Sequence, residues 1–212
     1  MKTLACVPCK GFAAGKGRLR TRYSGREVGE LGAAMLADVV GALVASKRVD
    51  ATLVVTGDRE VADTVPGFGA SPVFLDPDPG LNPAIETVGA AAVRDGFDAY
   101  LVILGDLPLL RPRDVDAIVE LGHRQPIVLV PSADGGTAAL LRRPPRRIPA
   151  CFGASSAAAH AEQARRIGLS PAGVPSIPDE ACIDLDTPED AHRILELGQA
   201  CRTLESLRKF AV

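Results

Sequence analysis

Hydrophobic and polar positions along this chain follow two rhythms. Short, nearly continuous apolar runs occupy Leu4 to Pro8, Thr52 to Val55, Val73 to Leu75, Tyr100 to Leu104 and Ile127 to Val130, the pattern of strands buried on both faces. Between them the spacing changes to three and four. Val28, Leu31, Met35, Val39 and Ala42 fall on one stripe of a helix predicted from about Glu27 to Ser46. Pro83 to Arg94 and Arg113 to Gly122 follow the same period, each with a proline at or near its first turn. Another helix is expected from Ser156 to about Ile167, and Thr187-Pro188-Glu189-Asp190 combines an N-cap, a first-turn proline and first-turn acids. The β-α-β order predicts an α/β fold with a mostly parallel central sheet covered by helices on both faces. Such sheets bind ligands beyond the carboxyl ends of their strands.

Composition narrows this. A chain of 212 residues, 47% hydrophobic, has the size of one sizeable core, so a single domain over residues 1–212 is expected. No apolar run approaches the roughly 20 residues that span a bilayer, so no membrane partner is expected. The cysteines, Cys6, Cys9, Cys151, Cys182 and Cys201, are odd in number and scattered, which fits a reduced cytoplasmic protein better than a disulfide framework. Cys6-x-x-Cys9 lacks the second pair or following helix that a zinc or redox reading needs. Charge is more telling. The net charge is only -2, yet the first 26 residues hold Lys2, Lys10, Lys16, Arg18, Arg20, Arg22 and Arg26 and no acid.

The predicted topology gathers the chemistry at one edge. The loop from Cys9 to Arg18 follows the first strand, Asp76 to Asn82 the third, and Gly105-Asp106 the fourth. Glycines let backbone amides approach phosphate, and Lys16 with Arg18 can neutralise it; the loop is not a Walker A sequence, and an ordinary connection with solvated lysines is the competing reading. Asp106 either caps the turn before Pro108 or, fixed by five apolar residues, faces a ligand. Asp186 lies just outside the Thr187 cap, at the end of a strand-like Cys182 to Leu185, free to face a metal, while Asp184 is expected on the opposite side. Two such carboxylates can hold Mg²⁺ while a cationic loop holds polyphosphate, which is equipment for nucleotidyl transfer. Arg142, Arg143, Arg146 and Arg147 flank Pro144-Pro145 without interleaved aromatics, so a solvated loop is expected rather than a nucleic-acid surface.

Six segments then carry a resemblance: Val7-Pro8-Cys9-Lys10 with Lys16-Gly17-Arg18-Leu19, Gly80-Leu81-Asn82-Pro83-Ala84, Gly105-Asp106-Leu107-Pro108, Gly135 to Leu140, Phe152 to Ser156 with His160, and Asp184 to Asp190. In that order and spacing, from about residue 4 to residue 196, the chain resembles the phospholactate or phosphoenolpyruvate guanylyltransferase family of coenzyme F420 biosynthesis. Residues 197–212 lie beyond it. The resemblance implies a Rossmann-like nucleotidyltransferase fold. It implies nucleotide contacts at Lys10, Gly11, Lys16, Arg18, Gly80, Leu81, Asn82 and Asp106, and Mg²⁺ on Asp106 and Asp186. It places the acceptor on Thr137, Gly153 and Ser156, with Lys16, Arg18, Asp106 and Asp186 in catalysis. The implied partners are GTP and a small phosphorylated carboxylic acid: phosphoenolpyruvate first, then 2-phospho-L-lactate or 3-phosphoglycerate. A homodimer is an expected assembly. Two departures stand out. Ala138 occupies a place where many relatives have asparagine, and Cys9 one where they have valine. His160, on the Ser156 face of its helix, suits packing, capping or acceptor contact equally. A molybdopterin or sugar-phosphate nucleotidyltransferase, or a nonenzymatic nucleotide-binding regulatory module, would share the loop and Asp106; the regulatory module would not need Asp186.

Overall fold

A computed structural model describes residues 1–210. Strands β1 (Thr3–Pro8), β2 (Ala51–Thr56), β3 (Ser71–Phe74), β4 (Ala99–Ile103), β5 (Ile127–Pro131) and β6 (Thr137–Arg142) form one sheet in the order β3-β2-β1-β4-β6-β5. The first four run parallel, and β6 runs antiparallel to both β4 and β5. The helices are α1 (Gly25–Val44), α2 (Arg59–Thr64), α3 (Leu81–Arg94), α4 (Pro112–Gly122), α5 (Ser156–Arg166), α6 (Pro188–Leu197) and α7 (Arg202–Phe210). The fold is the expected α/β one. Boundaries move by two or three residues at most, as at α1, where Ser24 and Glu27 form a capping box and start the helix at Gly25.

Both faces of the sheet are buried, and alternation along β1 shows how. Ala5 and Val7 pack with Leu36, Val39 and Leu43 of α1 and Val115 and Ile118 of α4. Leu4 and Cys6 pack the other way, against Ile85 and Val88 of α3 and, through Phe152 and Ala164, the α5 layer. Pro72 is accommodated because β3 is an edge strand. The C-terminal segment beyond the resemblance is structured through Phe210; its last two residues lie outside the described residues. Leu204 and Leu207 of α7 pack with Val28, Leu31 and Met35 of α1, and Asp38 accepts from the Arg202 and Thr203 backbone amides at 2.9 Å each.

Two expectations are corrected. Strand β6 is fully buried along its length, Arg142 included. Arg142 at its end is not solvated: it is 0% exposed, donates from Nη1 to Glu86 Oε1 at 2.6 Å and the Ile148 carbonyl at 2.8 Å, and stacks 5.1 Å over the Tyr100 ring. The strand-like Cys182 to Leu185 begins instead in a 3-10 turn (Asp179–Cys182); it is held by Leu185 N–H donating to the Asp106 carbonyl at 3.2 Å.

Candidate active site

The bond from Leu185 to Asp106 draws two distant stretches together at the carboxyl edge of the sheet. Asp106 leaves β4 three residues after Ile103, and the 183–187 segment lies beside it, delivering Asp186. The Thr187 cap forms as expected: Asp190 N–H donates to Thr187 Oγ1 at 3.2 Å and Thr187 N–H to Asp190 Oδ2 at 2.8 Å. Asp190 is therefore structural, and Asp186 stays outside the helix.

Lys16 completes the cluster. Its Nζ donates to Asp106 Oδ2 at 2.9 Å and also to Asp186 Oδ1, and the residue is only 8% exposed. Burial alone would lower the Lys16 pKa; the two carboxylates outweigh it and hold it above the ordinary value. A buried ammonium pairs with the nearest carboxylates, because desolvated charge is costly without a partner. Asp106 Oδ1 is buried without a hydrogen-bond partner, and an unsatisfied buried oxygen costs about 1–3 kcal/mol. A carboxylate with one oxygen unclaimed, beside a second carboxylate, fits Mg²⁺. Among the described residues no group of three or more His, Cys, Asp or Glu is set to hold a metal alone, so substrate phosphates would complete the shell, as Mg²⁺ prefers. Asp184 faces another cavity but feels the charge of this pair. Burial first, then the Asp106 carboxylate, pushes its carboxyl above the usual range, and it lines a separate cavity of about 630 Å³ with Ser132, Asp179, Ile183 and Arg193.

On the other side of the Lys16 cluster lies a cavity of about 260 Å³ bordered by Lys10, Gly11, Lys16, Leu81, Gly105 and Asp106. Lys10 and Arg18 are exposed. Gly80 and Leu81 open α3 here, Gly80 with φ 89°, a left-handed conformation that glycine adopts at little cost. The loop is seated by a contact not visible in sequence: a Cβ on Gly32 would fall 1.8 Å from the Phe12 carbonyl oxygen, so α1 touches the loop backbone directly. Asn82 does not present its amide to this cavity. Its Nδ2 donates to the Phe152 carbonyl at 3.0 Å and its Oδ1 accepts the Phe152 N–H at 2.8 Å, tying α3 to the segment before α5.

That segment carries the remaining residues. Leu104 N–H donates to the Ala138 carbonyl at 3.1 Å, so Thr137 stands next to the Asp106 turn. Ser156 Oγ donates to Thr137 Oγ1 at 3.0 Å, Thr137 Oγ1 lies 3.0 Å from His160 Nδ1, and Cys151 N–H donates to His160 Nε2 at 2.8 Å. Thr137, Ser156 and His160 are each 1% exposed or less. Gly153, at φ 137°, accepts the Ser156 N–H at 3.2 Å, and the Ala157 N–H goes to Gly135, so two amides at the start of α5 are already engaged. The structure thus joins Thr137, Gly153 and Ser156 as expected and adds His160, which sequence left open. The Cys6 and Cys9 thiols are pushed up by burial to about 12 and about 11, opposite to a reactive or metal-binding pair.

Comparison with known proteins gives the chain its family. The profile of the family described as guanylyl transferase CofC like aligns with residues 3–212. The chain belongs to this family. It is 36% identical over 195 residues to a phosphoenolpyruvate guanylyltransferase of Sphaerobacter thermophilus, covering 92% of this chain and 93% of the relative. It is 38% identical over 208 residues to a 3-phospho-D-glycerate guanylyltransferase of Phenylobacterium zucineum, covering 96% and 94%. A solved structure from Desulfovibrio desulfuricans, provisionally described as a nucleotide-diphospho-sugar transferase, superposes with a TM-score of 0.81 at 17% identity, over 99% of this chain and 95% of that one; it supports the fold. The chain is a nucleotidyltransferase enzyme of the guanylyltransferase family, and among the described residues no helix is long and apolar enough to cross a membrane.

Proposed function

We propose that this protein transfers GMP from GTP to the phosphate of a small phosphorylated carboxylic acid, releasing pyrophosphate, as a cytoplasmic step of coenzyme F420 assembly. The observation that carries the reading is the convergence of Asp106 and Asp186 on one cation beside a glycine-bearing basic loop. An oxygen of the acceptor's phosphate attacks the α-phosphorus of GTP, a new P–O–P linkage forms, and the α–β bridge breaks with its electron pair leaving on pyrophosphate. An ionised phosphate is already a nucleophile at neutral pH, so no protein nucleophile or general base is required. Asp106 and Asp186 would hold Mg²⁺, which supplies neutralisation of charge on the transferring phosphates. In that arrangement the Lys16 ammonium is released toward the β- and γ-phosphates, with exposed Lys10 and Arg18 adding long-range attraction. Thr137, Gly153 and Ser156 hold the acceptor's anionic groups.

Phosphoenolpyruvate is the first candidate acceptor. Relatives named for phosphoenolpyruvate and for 3-phospho-D-glycerate match at 36% and 38%, so overall identity does not choose between them and the acceptor-side residues must. The deciding experiment incubates the purified protein with Mg²⁺, each of the four nucleoside triphosphates and each of phosphoenolpyruvate, 2-phospho-L-lactate and 3-phosphoglycerate, following pyrophosphate and product mass. Pyrophosphate release with GTP and phosphoenolpyruvate is expected; no turnover of any of the three acids with any of the four triphosphates would overturn the reading.

A further inference from the structure

The hydrogen-bond chain Cys151–His160–Thr137–Ser156 has a direction, and one backbone amide sets it. Cys151 N–H points at His160 Nε2 at 2.8 Å, so Nε2 must present its lone pair. A neutral imidazole carries one proton, which is then on Nδ1. A cationic ring is excluded by the same contact, because both nitrogens would be donors. Burial first, then the Arg142 charge, lower the His160 pKa to about 4, against a weaker opposing effect of the Ser156 carbonyl, consistent with a neutral ring near pH 7.

Counting protons gives the consequence. The Thr137 and Ser156 hydroxyls bring two, and one is used in the bond between them at 3.0 Å. With the proton on Nδ1, the ring donates to Thr137 Oγ1 at 3.0 Å and Thr137 owes it nothing, so the second hydroxyl proton remains available. With the proton on Nε2 instead, Nδ1 would take the Thr137 proton, Thr137 would take that of Ser156, and none would be left. The two hydroxyls sit at the start of β6 and the first turn of α5, where the helix dipole favours an anion. Two amides of that turn are already bonded to Gly153 and Gly135, which makes a hydroxyl donor there more valuable.

We propose that His160 is a positioning residue for the acceptor: by donating from Nδ1 to Thr137 it frees one hydroxyl proton of the Thr137–Ser156 pair for the acceptor's anionic group. This rests on the proposed acceptor site. His160 touches no substrate and acts through Thr137.

Two isosteric substitutions separate this from a packing role. Asparagine places its amide nitrogen near Nδ1, keeping the donor to Thr137 and losing the partner of Cys151 N–H. Glutamine places its carbonyl oxygen near Nε2, keeping Cys151 satisfied and losing the donor. With phosphoenolpyruvate and GTP varied separately, His160→Gln should raise the acceptor KM roughly 10-fold or more above that of His160→Asn, the scale of one lost bond to a charged group, with equal GTP KM. The reverse order, or equal acceptor KM in the two variants, overturns the proposal and leaves His160 as an anchor for the 150–153 segment. Thr137→Val is run beside them. If it leaves the acceptor KM unchanged, the acceptor-site reading fails and takes this inference with it; if it raises that KM while the two histidine variants agree, only the role of His160 fails. A measurement on the unaltered protein does not depend on any variant folding well: ring-nitrogen correlation spectra of ¹⁵N-histidine-labelled protein at pH 7 should show one of the histidines protonated on Nδ1 alone. Its absence, with all rings protonated on Nε2 or on both nitrogens, overturns the proposal.

Discussion

The two halves of the site are held by different physics. On the proposed nucleotide side Lys16 joins side chains that are 27% and 41% exposed, Asp106 and Asp186, and the surrounding cations Lys10 and Arg18 are exposed. On the proposed acceptor side Thr137, Ser156 and His160 are neutral, 1% exposed or less, and joined by bonds of 3.0 Å. Charge in partial contact with water is strong, tolerant of geometry and screened by salt. Buried neutral hydrogen bonds are weaker, directional and indifferent to salt. The difference suits a division of labour in the proposed reaction: a charged, water-touching half for a flexible polyphosphate and a neutral, buried half for a small acid.

The largest effect should come from breaking the charged half. Asp106→Asn and Asp186→Asn remove one charge each from the pair that Lys16 spans, and turnover should fall about 10²-fold or more, the scale of losing a main electrostatic stabiliser. Each variant leaves the buried Lys16 one carboxylate partner, so the fold should persist with a modest fall in thermal stability. Near-normal turnover in either variant would remove the two-carboxylate mechanism, and unfolding of both would mean the cluster is structural. Circular dichroism beside pyrophosphate release measures both.

How much of this contrast was legible in sequence follows from where each half gets its geometry. The charged half is built from residues that follow apolar runs: β1 leads to Lys10 and Lys16, β4 to Asp106. A run of buried residues fixes where the next polar residue emerges, so periodicity alone located those loops at one edge. Asp186 was legible through its Thr187-Pro188 cap, although the stretch before it is not a strand. The buried half was hidden. Arg142, with Arg143, Arg146 and Arg147 around Pro144-Pro145, reads as part of a solvated loop, and only the tertiary fold shows Glu86 paired with Arg142 from 56 residues away. Nothing local says that Asn82 will clasp Phe152, or that His160 will accept from Cys151. Gly32 was equally silent: its need to be glycine comes from Phe12, twenty positions earlier and on another element.

The next effect tests burial of the neutral half through pH. The folded His160 pKa of about 4 lies below the ordinary histidine value of about 6.5. Between those values the unfolded chain binds a proton that the folded chain refuses, so stability contributed by the neutral ring is complete above about 6.5 and is lost as pH falls toward 4. The shift caps this contribution at roughly 3 kcal/mol. Denaturant unfolding from pH 7 down to pH 4.5 should therefore show a steeper loss for the unaltered protein than for His160→Asn, which has no proton to take up there. Parallel curves would mean that the ring reaches water and is not the sealed element described.

The smallest effect separates the halves by salt. Lys10 and Arg18 are exposed, and exposed charges contribute about 0–1 kcal/mol each, so Lys10→Ala and Arg18→Ala should raise the GTP KM only about 2- to 5-fold at low ionic strength. Near 1 M salt the Debye length is about 3 Å, attraction between exposed charges is largely screened, and the difference from the unaltered protein should vanish. Thr137→Val should behave oppositely: its effect falls on the acceptor, and its ratio to the unaltered protein should stay constant as salt rises, because the lost contact is a hydrogen bond from a side chain that is 1% exposed. GTP and acceptor KM values at low and high ionic strength, taken for all three variants, carry the comparison. If the Thr137→Val ratio faded with salt as the lysine and arginine ratios do, the acceptor side would be a second screened electrostatic site, and the contrast between the two halves would collapse into one of degree.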